Sequence, residues 1–220
     1  MDTNITKELV ISLFDKDLEW IKNIDKSIKI TIYRKGDITS HESEIYLTNN
    51  VGRDVHTFFY HIVNRYNTLS DYTFFSQDYP FDHIENYVQI INGNISDWDT
   101  YSSYKKDGYW GYHWNSIGTM WSMDDSIEWG NKVLKCDKFG KPHHKEEDLP
   151  IESIWNKLFT SECPQTLEFT PGGHFSISKE QILYKNLEFY KKILILLENN
   201  ELSPWVIERL EPYIFNKYIN

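Results

Sequence analysis

Alanine is absent from the 220 residues, and only four arginines (Arg34, Arg53, Arg65, Arg209) stand against nineteen lysines. No fold demands such a bias, and it matches an AT-rich coding sequence. Its use is that an arginine kept under it is more informative than usual. Cysteine is nearly missing too. Cys136 and Cys163 lie apart without C-x-x-C spacing, which excludes a disulfide scaffold and gives no zinc or redox signature. The longest aliphatic run, Ile193 to Leu197, is far short of the roughly 20 apolar residues that cross a bilayer. The opening MDTNITKELVISLFDKD has neither signal-peptide nor transit-peptide character, so a cytoplasmic location without a membrane span is expected. Positive charge is in deficit, 23 − 33 = −10, which argues against a general nucleic-acid binder. What is present is a 16% aromatic, 40% hydrophobic and 25% charged composition. Such a soluble globular chain can bury a sizeable core without metal or disulfide staples.

Short β-rich runs at Leu9 to Phe14 and Ile28 to Arg34 bracket DKDLEWIKNID, which is compact enough for a short helix. A third strand candidate is Glu44 to Leu47. From Arg53 to Tyr66, Val55, Phe58, Phe59, Ile62, Val63 and Tyr66 share one helical face. YTFFSQ predicts a fourth strand and Ile84 to Ile91 a helix. Further on, Ile151 to Phe159 reads as helical, LEFTPGGHFSIS as two strands broken at Pro171, Gly172 and Gly173, and Leu187 to Glu198 and Pro204 to Tyr218 as helices. Ser203 and Pro204 suit the N-cap and first turn of the last one. The alternation predicts a single α/β domain over residues 1–220, with a mixed, mainly parallel sheet flanked by helices. Residues 92–150 form an aromatic-rich, elaborated loop region in this reading, and 185–220 a C-terminal helical part.

Four segments carry polar groups in places where chemistry is feasible. In NNVGRDVHTFF, Asn50 is expected to cap the helix. Gly52 permits close backbone approach, and Arg53 adds a guanidinium to the free N–H groups of the first turn, making an anion site. His56 lies three residues on and can face the same end. The alternative is a simple turn with Arg53 paired to Asp54 and His56 a structural group. In SQDYPFDH, Gln77, Asp78, Asp82 and His83 follow a strand end, where α/β sheets bind ligands. They could bind sugar hydroxyls, act as acid or base, or, through Asp78, Asp82 and His83, hold a divalent metal such as Mn2+ or Mg2+. The alternative there is a tight turn with Asp82 capping the next helix.

In PGGHFSISKEQI, Gly172 and Gly173 allow close approach to a ligand or simply turn the chain, while His174 and Ser178 offer polar groups. In SPWVIERLEPYIF, Glu208 and Arg209 point to different sides, so one can reach a site or both can serve structural ion pairs. Two weaker patterns are the D-x-D of Asp97 and Asp99 and the His143–His144 pair in a charged loop. No G-x-S-x-G, Walker A, G-x-G-x-x-G or H-E-x-x-H occurs, which disfavours serine hydrolases, P-loop enzymes, dinucleotide enzymes and zincins.

The ordered blocks NVGRDVHTFFYHIV, YNTLSDYTFFSQDYPFDH, GKPHH, LPIESIWNKLF, TPGGHFSISKEQI and PWVIERLEPYIF resemble the family called domain of unknown function 3431, from about Asn50 to Phe215. The family pattern usually has Glu where this chain has Asp54, often Gly where it has Asp78, and commonly Trp near Glu211. The layout is in turn similar to that of GT-A-type nucleotide-diphospho-sugar transferases. That resemblance implies a glycosyltransferase-like enzyme with a nucleotide-sugar donor and a glycan or protein acceptor, Asp78, Asp82 and His83 serving catalysis or the metal. Two other readings stand beside it. One is a non-catalytic carbohydrate- or anion-binding module using the Trp and Tyr residues between Trp98 and Trp129. The other is a metal-assisted hydrolase built from His56, Asp82, His83 and His174.

Overall fold

In KELVISL the apolar residues run without a break, the pattern of a strand covered on both faces. The computed structural model describes residues 5–36, 45–47, 50–113, 119–122, 132–136 and 142–219, with backbone alone over 119–122, 132–136 and 142–148. That first run is β1 (Lys7–Leu13). A 3-10 turn at Glu19–Asn23 leads to β2 (Lys29–Arg34), β3 (Ile45–Tyr46), α1 (Arg53–Arg65) and β4 (Tyr72–Gln77). A second 3-10 turn, Pro80–Asp82, precedes α2 (Tyr87–Asn92) and α3 (Ile95–Tyr101). Then come β5 (Tyr104–Lys106), β6 (Tyr109–Gly111), β7 (Thr119–Ser122), β8 (Lys132–Cys136), β9 (Pro142–Asp148) and α4 (Ile151–Leu158). The chain continues with β10 (Thr166–Phe169), β11 (Phe175–Ser178), α5 (Lys179–Leu183), α6 (Leu187–Asn199) and α7 (Ser203–Ile214).

Seven strands form one mixed sheet in the order β3-β2-β1-β4-β11-β6-β5. β3, β2, β1 and β4 run parallel to their neighbours, whereas the β4–β11, β11–β6 and β6–β5 pairs are antiparallel. The sheet is therefore evenly divided between the two kinds of pairing, where mainly parallel pairing was expected. The antiparallel half comes largely from the region read as elaborated loop. β5 and β6 are three residues each, too short for a period-2 signal, yet they extend the main sheet. Two separate two-stranded pairs, β10–β7 and β8–β9, complete the described strands.

Period-2 alternation sends side chains to opposite faces. Leu9, Ile11 and Leu13 of β1 and Phe74 of β4 join one core with Trp20, Tyr87, Ile90 and Trp98. Val10 and Phe75 join the other, where α1 lays Val55, Phe58, Phe59 and Ile62 beside Ile193, Leu197, Ile207 and Leu210 of α6 and α7. Phe58 and Phe59 are fully buried, and each stabilises the fold by roughly 1.5–3 kcal/mol through area removed from water. No described helix is long and apolar enough to cross a membrane.

Register brings the strand ends together. Ser12 of β1 pairs with both Tyr33 of β2 and Gln77 of β4, so the carboxyl ends of three parallel strands are level. The strand order reverses between β1 and β4, since the chain moves outward from β1 through β2 to β3 and returns to β1's other side as β4. Such a reversal leaves an open crevice outside the strand ends. Because β11 runs against β4 with Phe175 opposite Phe75 and Ser178 opposite Tyr72, the Thr170–His174 turn before β11 lies at the crevice edge. Ser178 lies at the far edge.

Candidate functional site

A cavity of about 280 Å³ opens at that crevice. β1 contributes Ser12 and the following Phe14, Asp15 and Lys16; β4 contributes Gln77 and the following Asp78, Tyr79 and Asp82; the start of α1 contributes Asn50, Arg53 and Asp54. A 2.9 Å hydrogen bond between the hydroxyls of Ser12 and Thr57 fastens β1 to α1 beneath it.

Asp78 shapes the floor. Its Oδ2 accepts hydrogen bonds from the backbone N–H groups of Phe14, Asp15 and Lys16 at 2.9, 3.0 and 3.1 Å, and its carbonyl accepts from Trp20 Nε1 at 2.8 Å. Three converging amides form an anion nest, and the carboxylate fills it from within the chain. Asp78 is thus a positioning residue for the 14–16 loop. The sequence made it a candidate acid, base or metal ligand; the structure places it on the cavity lining with Oδ2 occupied by these three donors.

The start of α1 departs from expectation in its cap. Gly52 is the N-cap, in the left-handed region at φ 65°, with no side-chain cap; Asn50 is exposed on the pocket wall. Arg53 also has positive φ, 53°, a conformation costing an L-residue roughly 1–2 kcal/mol. Its exposed guanidinium stacks over the Trp205 ring at 5.2 Å. A side chain at Gly52 would place its Cβ 2.7 Å from His56 Cβ and 3.2 Å from the Leu197 carbonyl oxygen. Gly52→Ala is therefore expected to lose about 2 kcal/mol of stability, read by urea unfolding, through strain at positive φ and pressure on α6. An unchanged midpoint would show that the turn relaxes freely.

His56 does not join the pocket. It is buried under α6, stacked on Tyr60, with Nε2 3.4 Å from Glu198 Oε1. Burial and nearby Lys35 hold its pKa below the ordinary value against the pull of Glu198. Helical spacing could not foresee that α6 would cover this face.

The glycine turn does reach the site. Gln77 Nε2 donates to Asp54 Oδ2 at 2.9 Å and to the Gly172 carbonyl at 3.0 Å, while Gly172 N–H donates to Glu208 Oε1 at 2.5 Å. One chain of bonds thus joins α1, β4, the turn and α7. Gly173, at φ 64°, would carry a Cβ 2.9 Å from Asp54 Oδ2, so only glycine fits against that carboxylate. Burial raises the pKa of Glu208, reinforced by Asp54 and opposed by Arg209. Glu211, one turn away and wholly buried, is raised well above the usual range by burial and by Glu208, and accepts from Tyr109 at 3.4 Å. Arg209 points elsewhere, stacking on Phe169 at 4.9 Å and donating to the Trp205 carbonyl. Glu208 is bonded to the turn through the Gly172 N–H.

On the turn's other side, three imidazoles gather. His83 lies 5.4 Å from both His113 and His174, ring centre to ring centre. His174 is buried, with Nδ1 3.4 Å from the Ser76 hydroxyl and Nε2 without a partner. Burial, His83 and His113 keep His174 neutral far below its ordinary pKa; burial lowers His83 as well, with Asp82 and Asp54 acting against it. Asp82 is exposed on the rim and does not cap α2, whose N-cap is Asn86. Ser178 caps α5 by accepting from Gln181 N–H, remote from the pocket.

Among the described residues no group of three or more His, Cys, Asp or Glu side chains is arranged to hold a metal ion. Asp78, Asp82 and His83 therefore do not form a ready shell, and neither do His56, Asp82, His83 and His174. The D-x-D is structural: Asp97 completes a capping box with Asn94, and Asp99 accepts from Trp110 Nε1 at 2.7 Å and pairs with Lys105. The side chains of His143 and His144 lie outside the described residues, as do those of Trp114, Trp121 and Trp129. Trp98 and Trp110 are buried in the core.

Phe14, Asp15, Lys16 and Tyr79 were not foreseen as pocket residues. The signal available was DKD directly after the first apolar strand, which becomes informative only once β1 is known to lie beside β4.

The fold and pocket define an α/β protein with a polar crevice at the reversal of its strand order. The chain belongs to the family described as protein of unknown function (DUF3431), whose pattern matches residues 9–219. A search of curated proteins returned no match.

Proposed function

We propose that the chain is a glycosyltransferase-like enzyme that takes a nucleotide-diphospho-sugar in the crevice between β1 and β4. The observation carrying this reading is the coincidence of three features there: the strand-order reversal, the start of α1, and the guanidinium of Arg53 on the cavity wall. Ligands of open α/β sheets bind at such reversals, and a cation beside a diphosphate stabilises the charge that grows on a leaving group. Lys16, on the loop after β1, adds a second cation to the lining. Asp82 on the rim is an exposed carboxylate that would act as base toward an acceptor hydroxyl, with His83 beside it. A divalent cation belongs to this reading only as a companion of the diphosphate, and no step is assigned to it.

Thermal-shift titration with a panel of UDP- and GDP-sugars, with and without Mn2+, tests the proposal. At least one donor is expected to raise the melting temperature. Arg53→Ala is expected to weaken that donor's binding by about tenfold or more, the value of one charge-assisted hydrogen bond. Absence of any shift across the panel counts against the reading.

A second reading, a carbohydrate-binding module without catalysis, is favoured by the charge balance of the wall. Asp15, Asp54, Asp78 and Asp82 outnumber Lys16 and Arg53, a surface suited to hydroxyl groups. It predicts glycan affinity that survives replacing Asp78 and Asp82 by Asn, where an enzyme using Asp82 would lose turnover.

A further inference from the structure

Lys35 follows β2 and is 5% exposed, an unusual place for an ammonium group. Its backbone N–H donates to the Leu13 carbonyl at 2.8 Å, continuing the β1–β2 ladder past the strand end. Its Nζ donates to the Val51 carbonyl at 2.6 Å and to the Arg53 carbonyl. These two carbonyls bracket Gly52 and Arg53, the two successive residues with positive φ. The N-cap Gly52 has no side chain to cap the helix, and the Lys35 ammonium spans the turn.

We propose that Lys35 is a positioning residue for the pocket: by bridging the carbonyls of Val51 and Arg53 it holds the left-handed pair in place and so directs the Arg53 guanidinium onto Trp205 at the cavity wall. A left-handed arginine is disfavoured in isolation and persists only where its surroundings over-determine it. Lys35 provides that restraint from a rigid base, because its own backbone is fixed to β1. Burial brings Lys35 down to about 8, opposed by nearby Asp54 and assisted by Arg53. The group thus remains largely protonated at neutral pH. That Arg53 then meets a phosphate rests on the donor reading above; its placement by Lys35 does not.

The four arginines make the test direct. In protein labelled with 15N-arginine, four side-chain Nε–H signals are expected, and Arg53→Lys identifies the one belonging to Arg53. In the wild type this signal should carry the ring-current displacement of a guanidinium over an indole. In Lys35→Met, which keeps the aliphatic packing, it should move to the position of a solvated arginine while the Arg65 and Arg209 signals stay in place. UDP, or inorganic pyrophosphate, should then bind about tenfold more weakly than to the wild type. Should Lys35→Met fail to fold, Lys35→Gln, which retains an N–H donor, should show an intermediate displacement. An Arg53 signal unmoved in a folded Lys35 variant overturns the proposal. If the signal moves but neither UDP nor pyrophosphate binds the wild type, the donor reading fails and the positioning role stands.

Discussion

Asp78→Ala is expected to lower the melting temperature by about 10 °C and, on the donor reading proposed above, to abolish binding of that donor. The carboxylate receives three backbone N–H bonds from residues 14–16. Hydrogen bonds to a charged partner contribute roughly 1.5–3 kcal/mol each, but this loop is partly solvated and water can replace some of them. A net loss of about 3 kcal/mol follows, and for a chain of this length each kcal/mol moves the midpoint by roughly 2–4 °C. Asp78→Asn keeps one acceptor oxygen and should lose about half as much. The variant also offers a chemical rescue: with the side chain gone the nest is open, so added formate or phosphate should recover part of the lost stability in Asp78→Ala and none in the wild type. Equal melting curves for Asp78→Ala and the wild type, or no response to either anion, would contradict the role given to this residue.

The second large effect is acid sensitivity from a buried network at the opposite end of the sheet from the crevice. Glu8, wholly buried, accepts from Thr31 at 2.6 Å and Ser70 at 3.1 Å and pairs with Lys29 at 2.9 Å. His61, equally buried, has Nδ1 3.1 Å from the Tyr33 hydroxyl and Nε2 3.8 Å from Glu8. Burial outweighs the attraction of Glu8 and brings His61 down from 6.5 to about 4. Between those values the unfolded chain binds a proton that the folded chain refuses, so stability rises with pH across this window. The contribution is fully present above about 6.5 and is lost as pH falls through about 4; the gap corresponds to about 3 kcal/mol. Glu8 adds to the loss at the acid end. Burial favours its protonated form, but bonds from Thr31 and Lys29 win and hold its carboxyl below the ordinary value. Urea unfolding at pH 7.5 and 4.5 checks this. His61→Gln should narrow the difference between the two pH values by about 3 kcal/mol, and parallel behaviour of variant and wild type would refute the assignment.

Much of the architecture was legible in the sequence because its elements carry strong local periods. YTFFSQ matches β4 residue for residue, and the one-sided spacing of Val55, Phe58, Phe59 and Ile62 reappears as the buried face of α1. The region 92–150 was opaque for a physical reason. β6 gains its strand character from pairing with β11, about 65 residues later, and β5 from pairing with β6, not from their own three-residue runs. The site was half legible. Arg53, Gln77, Gly172, Gly173 and Glu208 do come together with Asp54, although only Arg53, Gln77 and Asp54 line the cavity itself. His56 and Ser178 do not, since a helix period fixes a residue's face but not what covers it, and a strand candidate carries no mark of its direction. Lys35 was invisible among nineteen lysines; nothing local marks a lysine as buried, and Lys185 is a second such case among the described residues.

The hydrogen bond from Gln77 to Gly172 closes a span of 95 residues, and that from Gly172 to Glu208 another 36. During synthesis, the parallel strands and α1 can pair while the glycine turn and α7 are still inside the ribosome or not yet translated. The lining of the crevice, Ser12 to Asp82, is thus made first, and the bonds that brace Gln77 from behind are long-range closures made by later residues. A chain ending before residue 170 would keep every lining residue of the crevice but lose the Gly172 carbonyl that holds the Gln77 side chain.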